Sequence, residues 1–474
     1  MNCAAVGYAS LLLDCQRRLG FLKAGQFSKF TTILLALPPP RPFDIMLARL
    51  RAMRGRVRLA WWHVRFVLAG VRGWLQRRQE KVVLGLPPAT REPFSMPPKR
   101  ALVSYLAAPA TWPTDSKKFD GHSNAWESAQ LVRILRDSGF QLDVINWDDH
   151  SFVGRGHYDV VVDIHGNLSR VAGQASCRVL HVTGSHPEFS NRAERERLAA
   201  LETRRGVCLR RRRSVSVEAV TQFNDSLRIS DLVTLIGNTT TLSTFPTEIR
   251  SKIRLVTVSG SNLSRVRSPA QLASVGEFLW FAGSGAVHKG LDLVLEVFAR
   301  NPQLTLHCVG PFTRELDFVR AYRRELFDLP NIVSHGFINP DTPKFYDIAS
   351  RCCGFVTPSC SEGISPAVVT CLQFGLVPII SRQCGVDLPL GGGWLLEVCT
   401  LDELTGAVHE LCDTPVTRLR EMIEQTQSTA AHMYSREEFT RRLRSAFAEI
   451  DPETIGALRK GATRREHATV VAST

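Results

Sequence analysis

Several features that settle a function at sight are missing from this sequence. Its 12 cysteines include no CxxC pair, which excludes zinc ribbons and thioredoxin-type redox centres. They stand singly or as the adjacent Cys352 and Cys353, a pattern read as buried or half-buried free thiols in a reducing cytoplasm. No stretch reaches the roughly 18 to 20 apolar residues that a membrane-spanning helix requires. The best short run, 31–37, precedes Pro38, Pro39 and Pro40 and has no small-residue cleavage site, so it is read as neither anchor nor export signal. The GxxxxGK[ST] spacing of a nucleotide-hydrolase loop is absent. So are an aromatic RNA-binding signature and a basic recognition helix.

Acidic residues are scarce only at the start. Residues 1–100 hold 18 Lys and Arg against 4 Asp and Glu, whereas the other 374 residues hold 41 of each sign. The formal charge of +14 therefore belongs to an N-terminal extension, and the neutral body argues against a nucleic-acid partner. With 44% hydrophobic and 22% charged residues, the chain can bury a full core, and its length implies two or three domains.

Punctuation divides the chain into an extension and Pro-rich linker at 1–97, a first domain at 98–265, a second at 266–435, a C-terminal helix at 436–450 packing back towards the first domain, and a polar tail at 451–474. Within the extension, 45–78 has a helical look, with Arg49, Arg51, Arg54, Arg58 and Arg65 interleaved with Trp61, Trp62, Phe66 and Trp74. Such a helix suits an anionic membrane surface, here through residues 41–80; a helix packed on its own domain, or an over-long start that forms no fold, is the plainer reading. From Arg100 onward, strands and helices alternate in the manner of parallel α/β units. Strands are expected at 101–106, 141–146, 158–164, 178–182, 232–236 and 254–258. After a polar stretch at 259–268 they resume at 278–281, 304–309, 332–336, 354–356 and 377–380. Two such series predict two Rossmann-like domains facing one another, with ligands at the carboxyl ends of the strands.

Two segments carry the chemistry. In the first, 280–293, a strand runs into Gly283, Ser284 and Gly285, then Lys289, then a helix. This arrangement presents backbone N–H groups and one cation to a phosphate, with Lys289 expected as an exposed cleft lysine. In the second, 358–378, Glu362 and Gly363 follow a strand and precede a helix starting near Pro366. A carboxylate there accepts sugar hydroxyls while the first helical turn faces a diphosphate. On the first domain, the candidates are Gly121, His122 and Asn124 ahead of a helix, His165 after an earlier strand, and His186 in the run Thr183-Gly-Ser-His186. The run Arg210 to Arg213 reads as a solvated face, or alternatively as a docking patch for a phosphate-bearing acceptor.

Together the two segments resemble the retaining glycosyltransferases of family 4 (group 1) in the GT-B superfold, over about 100–450 and most strongly over 278–387. The resemblance implies an α/β protein of two facing Rossmann-like domains with parallel sheets, behind the basic, partly helical extension. It implies a nucleotide-sugar donor, a glycan, lipid-linked or small-molecule acceptor, no cofactor and no metal, and a cytoplasmic place, with the inner membrane face as a further option. By position, Lys289 is the diphosphate-binding lysine and Glu362 the sugar-contacting first glutamate of a Glu-x7-Glu motif. Ser365 lies beside them, and His186 falls roughly where the family histidine approaches the anomeric carbon. Two positions depart: Thr370 replaces the second glutamate, leaving a hydroxyl for the ribose, and Ser284 stands where many members carry a phosphate-binding arginine. A catalytically lapsed donor-binding homologue and a GT-B sugar-nucleotide epimerase are the alternatives.

Overall fold

The computed structural model describes residues 82–89, 99–120, 123–272 and 275–449. The readings placed on 1–81, on Gly121 and His122 and on the tail from 450 lie outside the described residues. No helix among the described residues is long and apolar enough to cross a membrane.

The first sheet contains β1 (Val82–Leu86), β2 (Arg100–Tyr105), β3 (Gln141–Asn146), β4 (Tyr158–Asp163), β5 (Ala175–Val182), β6 (Leu232–Ile236) and β7 (Ile253–Val256), in the order β1-β3-β2-β4-β5-β6-β7. β1 runs antiparallel to β3, pairing Val82 with Ile145, and the rest are parallel. The sheet therefore begins inside the range read from sequence as extension and linker. The central strands are nearly continuous apolar runs, as strands covered on both faces must be; Leu102, Val103, Val161, Val179 and Leu235 are fully buried.

The second sheet is wholly parallel: β8 (Glu277–Phe281), β9 (Thr305–Val309), β10 (Ile332–Gly336), β11 (Gly354–Thr357), β12 (Val377–Ser381) and β13 (Trp394–Leu396), in the order β10-β9-β8-β11-β12-β13. Strand order reverses between β8 and β11, and in the first sheet between β2 and β4. At such a reversal the crossover helices go to opposite faces, which opens a crevice at the carboxyl ends.

The 259–268 segment links the two sheets and is held along its length. Gly260 donates to Tyr434 O at 2.7 Å, Ser261 to Gln373 Oε1 at 3.0 Å, and Arg267, 1% exposed, donates to Cys352 O at 2.5 Å. The chain returns at its end. In the Arg436–Phe447 helix, Phe439 sets its ring edge-on to Trp126 at 5.7 Å, and Leu443 and Phe447 join a core that holds Val103 and Trp126 of the first domain and also Phe281 and Phe374 of the second. A second bridge is the Pro187–Arg205 helix, whose Leu201 belongs to the second domain's core.

Candidate functional site

The crevice of the second sheet is built from two loops that run side by side because β8 and β11 are neighbours. Gly290 adopts φ +74°, and a Cβ there would fall 2.5 Å from Pro358 Cγ, so only glycine lets the loops touch. Next to that contact, Cys360 N–H donates to His288 O at 2.9 Å, and His288 Nε2 bonds Ser361 O at 2.6 Å. Lys289 Nζ donates to the Glu362 carboxylate. The two residues marked out from sequence thus form one ion pair.

Lys289 is not the exposed lysine that the sequence suggested. It is 9% exposed, because the loop folds back and Trp280 Nε1 donates to its carbonyl at 3.2 Å. Burial raises the Glu362 carboxyl, but the Lys289 charge outweighs it and holds the group below the usual carboxylate range. Burial first, and then Lys289, press His288 down to about 4, so its ring is neutral near pH 7.

The Gly-rich turn is partly satisfied from within. Glu315 accepts from Gly285 N–H at 2.7 Å and from Ala286 N–H at 3.1 Å, its carboxyl raised by burial against those bonds. Gly283 and Ser284 are exposed, and among the described residues their N–H groups meet no acceptor.

The first domain closes directly onto Glu362 and Gly363. Ser185 Oγ donates to Glu362 O, Thr241 Oγ1 donates to Gly363 O at 3.1 Å, and Asn238 Nδ2 donates to Asp387 Oδ1 at 2.7 Å. Main chain packs on main chain, since a Cβ on Gly363 would lie 2.4 Å from Ile236 O and 2.9 Å from Thr183 O.

His186 has a different task from the one expected. It is 3% exposed and caps the Pro187–Arg205 helix, Nδ1 accepting from Glu188 N–H at 3.3 Å. That leaves Nε2 to donate to Asn224 Oδ1 at 3.0 Å, and the ring lies between Phe223 and Phe245. Both nitrogens are committed inside the first domain. His165 stands at the carboxyl end of β4, stacked on Trp147 at 5.0 Å, half-buried and lowered by burial; it flanks the first sheet's reversal. Asn124 opens the Ser123–Asp137 helix, where its Oδ1 accepts from Ser123 Oγ at 3.4 Å. Ser365 precedes the Pro366–Phe374 helix, and its N–H donates to Cys384 O at 2.9 Å. Thr370 is 2% exposed and spends its hydroxyl on Pro366 O at 2.8 Å and Ser261 Oγ at 2.7 Å, tying helix to linker instead of facing a ribose.

The arginine run is exposed, as a solvated face is, and it is also tied into the protein. Glu194, on the Pro187–Arg205 helix, accepts the N–H groups of Arg212, Arg213 and Ser214 at 2.8 to 2.9 Å. Arg212 pairs with Asp317 of the second domain, and the Arg213 stem lies over Gly285, 2.8 Å from where a Cβ would stand. Sequence reasoning missed Glu315 and Glu194, and it gave no role to His288 or Ser185, although both lie in segments it marked; their roles depend on contacts between segments far apart in the chain. A recess elsewhere, lined by Ser176, Asp231, Ser251 and Lys252, opens at the amino ends of β5 to β7, away from these loops.

No known family matches the sequence, and no curated protein matches it. Solved structures do. HepE of Anabaena, crystallised with UDP, is similar at 15% identity and TM-score 0.50, covering 74% of this chain and all of that one (100%). Sucrose-phosphate synthase of Thermosynechococcus elongatus is similar at 13% identity and TM-score 0.47, over 75% and 99% of the two chains. TarM of S. aureus, crystallised with UDP, is similar at 10% identity and TM-score 0.43, over 61% of this chain and 55% of its own. The fold is the α/β GT-B arrangement of two mostly parallel sheets, as in HepE.

Proposed function

We propose that this chain is a nucleotide-sugar-dependent glycosyltransferase that moves a hexose, with retention, to a glycan, lipid-linked or small-molecule acceptor. One observation carries the reading: the cation and the carboxylate singled out in two separate motifs meet at the reversal point of the second sheet, beneath the first domain.

In the transfer, the bond between the anomeric carbon and the diphosphate oxygen breaks, and its electron pair leaves on the nucleoside diphosphate. The acceptor oxygen bonds the same carbon and releases its proton. Lys289 lies where it meets the charge growing on the leaving diphosphate, a form of preorganised help worth roughly 3 to 4 kcal/mol per donor in other enzymes. The exposed N–H groups of Gly283 and Ser284 add to it. Glu362, kept ionised, accepts hydroxyls of the sugar and fixes its orientation. His165, at the end of β4, belongs to the acceptor side. The basic stretch 41–80 would bring an acceptor's membrane surface within reach, without a metal or cofactor.

Release of nucleoside diphosphate from a panel of nucleotide sugars tests this, starting with UDP-glucose because HepE was crystallised with UDP. Turnover by the wild type that falls at least tenfold in Lys289→Ala is expected. Equal rates in both would refute the assignment of the site.

A further inference from the structure

The donor site just described is short of positive charge. A diphosphate brings about two negative charges, yet the second domain offers it Lys289, already neutralised by Glu362, and a turn whose Gly285 and Ala286 N–H groups are taken by Glu315. A further cation has to come from elsewhere, and the first domain holds one in place.

Arg213 is exposed, and its guanidinium has no hydrogen bond or ion pair among the described residues. It is not loose, however. Its N–H is fixed by Glu194, 2% exposed, at 2.9 Å, and its stem rests against Gly285, whose lack of a Cβ leaves the room. The neighbouring Arg212 is spent on Asp317, whereas the charge of Arg213 is felt at both His288 and Glu362. An unpaired guanidinium, on an anchored backbone, over a Gly-rich turn with two free N–H groups, is a preorganised anion clamp.

We propose that Arg213 is a second cation of the donor-diphosphate site, contributed by the first domain across the cleft to the second. The inference rests on the donor-site reading above. It makes diphosphate binding a property of both domains together: the anion lies over Gly283 and Ser284, between Lys289 and Arg213.

Calorimetric titration of the full-length protein with UDP, GDP and ADP, each beside its monophosphate, tests it in wild type, Arg213→Ala, Arg213→Lys and Lys289→Ala. Arg213 is exposed and only its backbone is anchored, so the variants keep the fold, checked by circular dichroism. Arg213→Ala should weaken the bound diphosphate about tenfold or more, the scale of a charge-assisted hydrogen bond, with a shallower salt dependence. The monophosphate should change by less than about twofold if its single phosphate does not reach the guanidinium, and Arg213→Lys should fall between. Diphosphate binding lost in Lys289→Ala but intact in Arg213→Ala overturns the role of Arg213 alone. Equal losses of mono- and diphosphate would reveal a structural effect and also overturn it. A wild type that binds none of the three diphosphates overturns the donor site itself.

Discussion

At the scale of single residues, the Lys289–Glu362 pair sets the terms. Lys289 is largely buried and paired, so Lys289→Ala removes a cation from the site and also leaves a carboxylate short of its partner. Weaker donor binding should therefore come with a lowered melting temperature, and Glu362→Gln, which keeps the shape, should lose sugar recognition while holding free nucleotide. Calorimetry and nucleotide titration of both variants check this. Buried histidines fix the pH response. Burial presses His181, bonded to Thr234 Oγ1 at 2.8 Å, down to about 4, whereas the unfolded chain takes up that proton below about pH 6.5. The unfolded state binds more protons in between, so this contribution to stability is complete above about pH 6.5 and is lost as the pH falls toward 4. His288 acts in the same direction. Glu127, raised by burial to about 7, acts in the opposite one, its contribution lost as the pH rises through 7. Between pH 7 and 5 the melting temperature of His181→Gln should therefore fall less, or rise more, than that of the wild type; an identical slope would remove His181 from this account.

At the scale of elements, the tight join is Gly363. Its substitution by Ala puts a methyl group into Ile236 O and Thr183 O, and carbonyls of a packed sheet cannot step aside. Gly363→Ala should wedge the cleft open and reduce turnover at least tenfold. Gly184→Ala should be nearly neutral, since its Cβ would lie 4.0 Å from Gly363 N. Kinetics of the pair decide the point. The β-strands that carry these loops were legible in the sequence as short apolar runs, and Lys289 and Glu362 as separate motifs, but their ion pair was not. The Pro187–Arg205 helix was not. Its run EFSNRAERERLAALETRR buries only Glu194 and Leu201, so it lacks the apolar stripe that marks a helix. The edge strand Val82–Leu86, with two of five residues exposed, likewise shows no clean alternation. Arg213 is exposed, as its run was read; what the sequence did not show is its backbone anchor, Glu194, 19 positions away, and its contact with Gly285 of the other domain.

For the whole molecule, the domains are held by arginines of the Pro187–Arg205 helix. Arg204 bonds the fully buried Asp292 at 2.8 Å and Glu296 at 3.2 Å, and Arg205 bonds Glu325 at 2.8 Å while covering the Tyr322 ring at 4.2 Å. Arg204→Met leaves Asp292 without its hydrogen-bonding partner, at a cost of about 3 to 5 kcal/mol, and calorimetry should show it. This contact has a meaning that the neutral total conceals. Residues 99–265 hold 23 Lys and Arg against 17 Asp and Glu, and residues 266–435 hold 12 against 18. The halves are matched by opposite sign, so each reads as a counter-ion to the other. An exchange of signs, Arg205→Glu with Glu325→Arg, should therefore recover part of what either change loses alone.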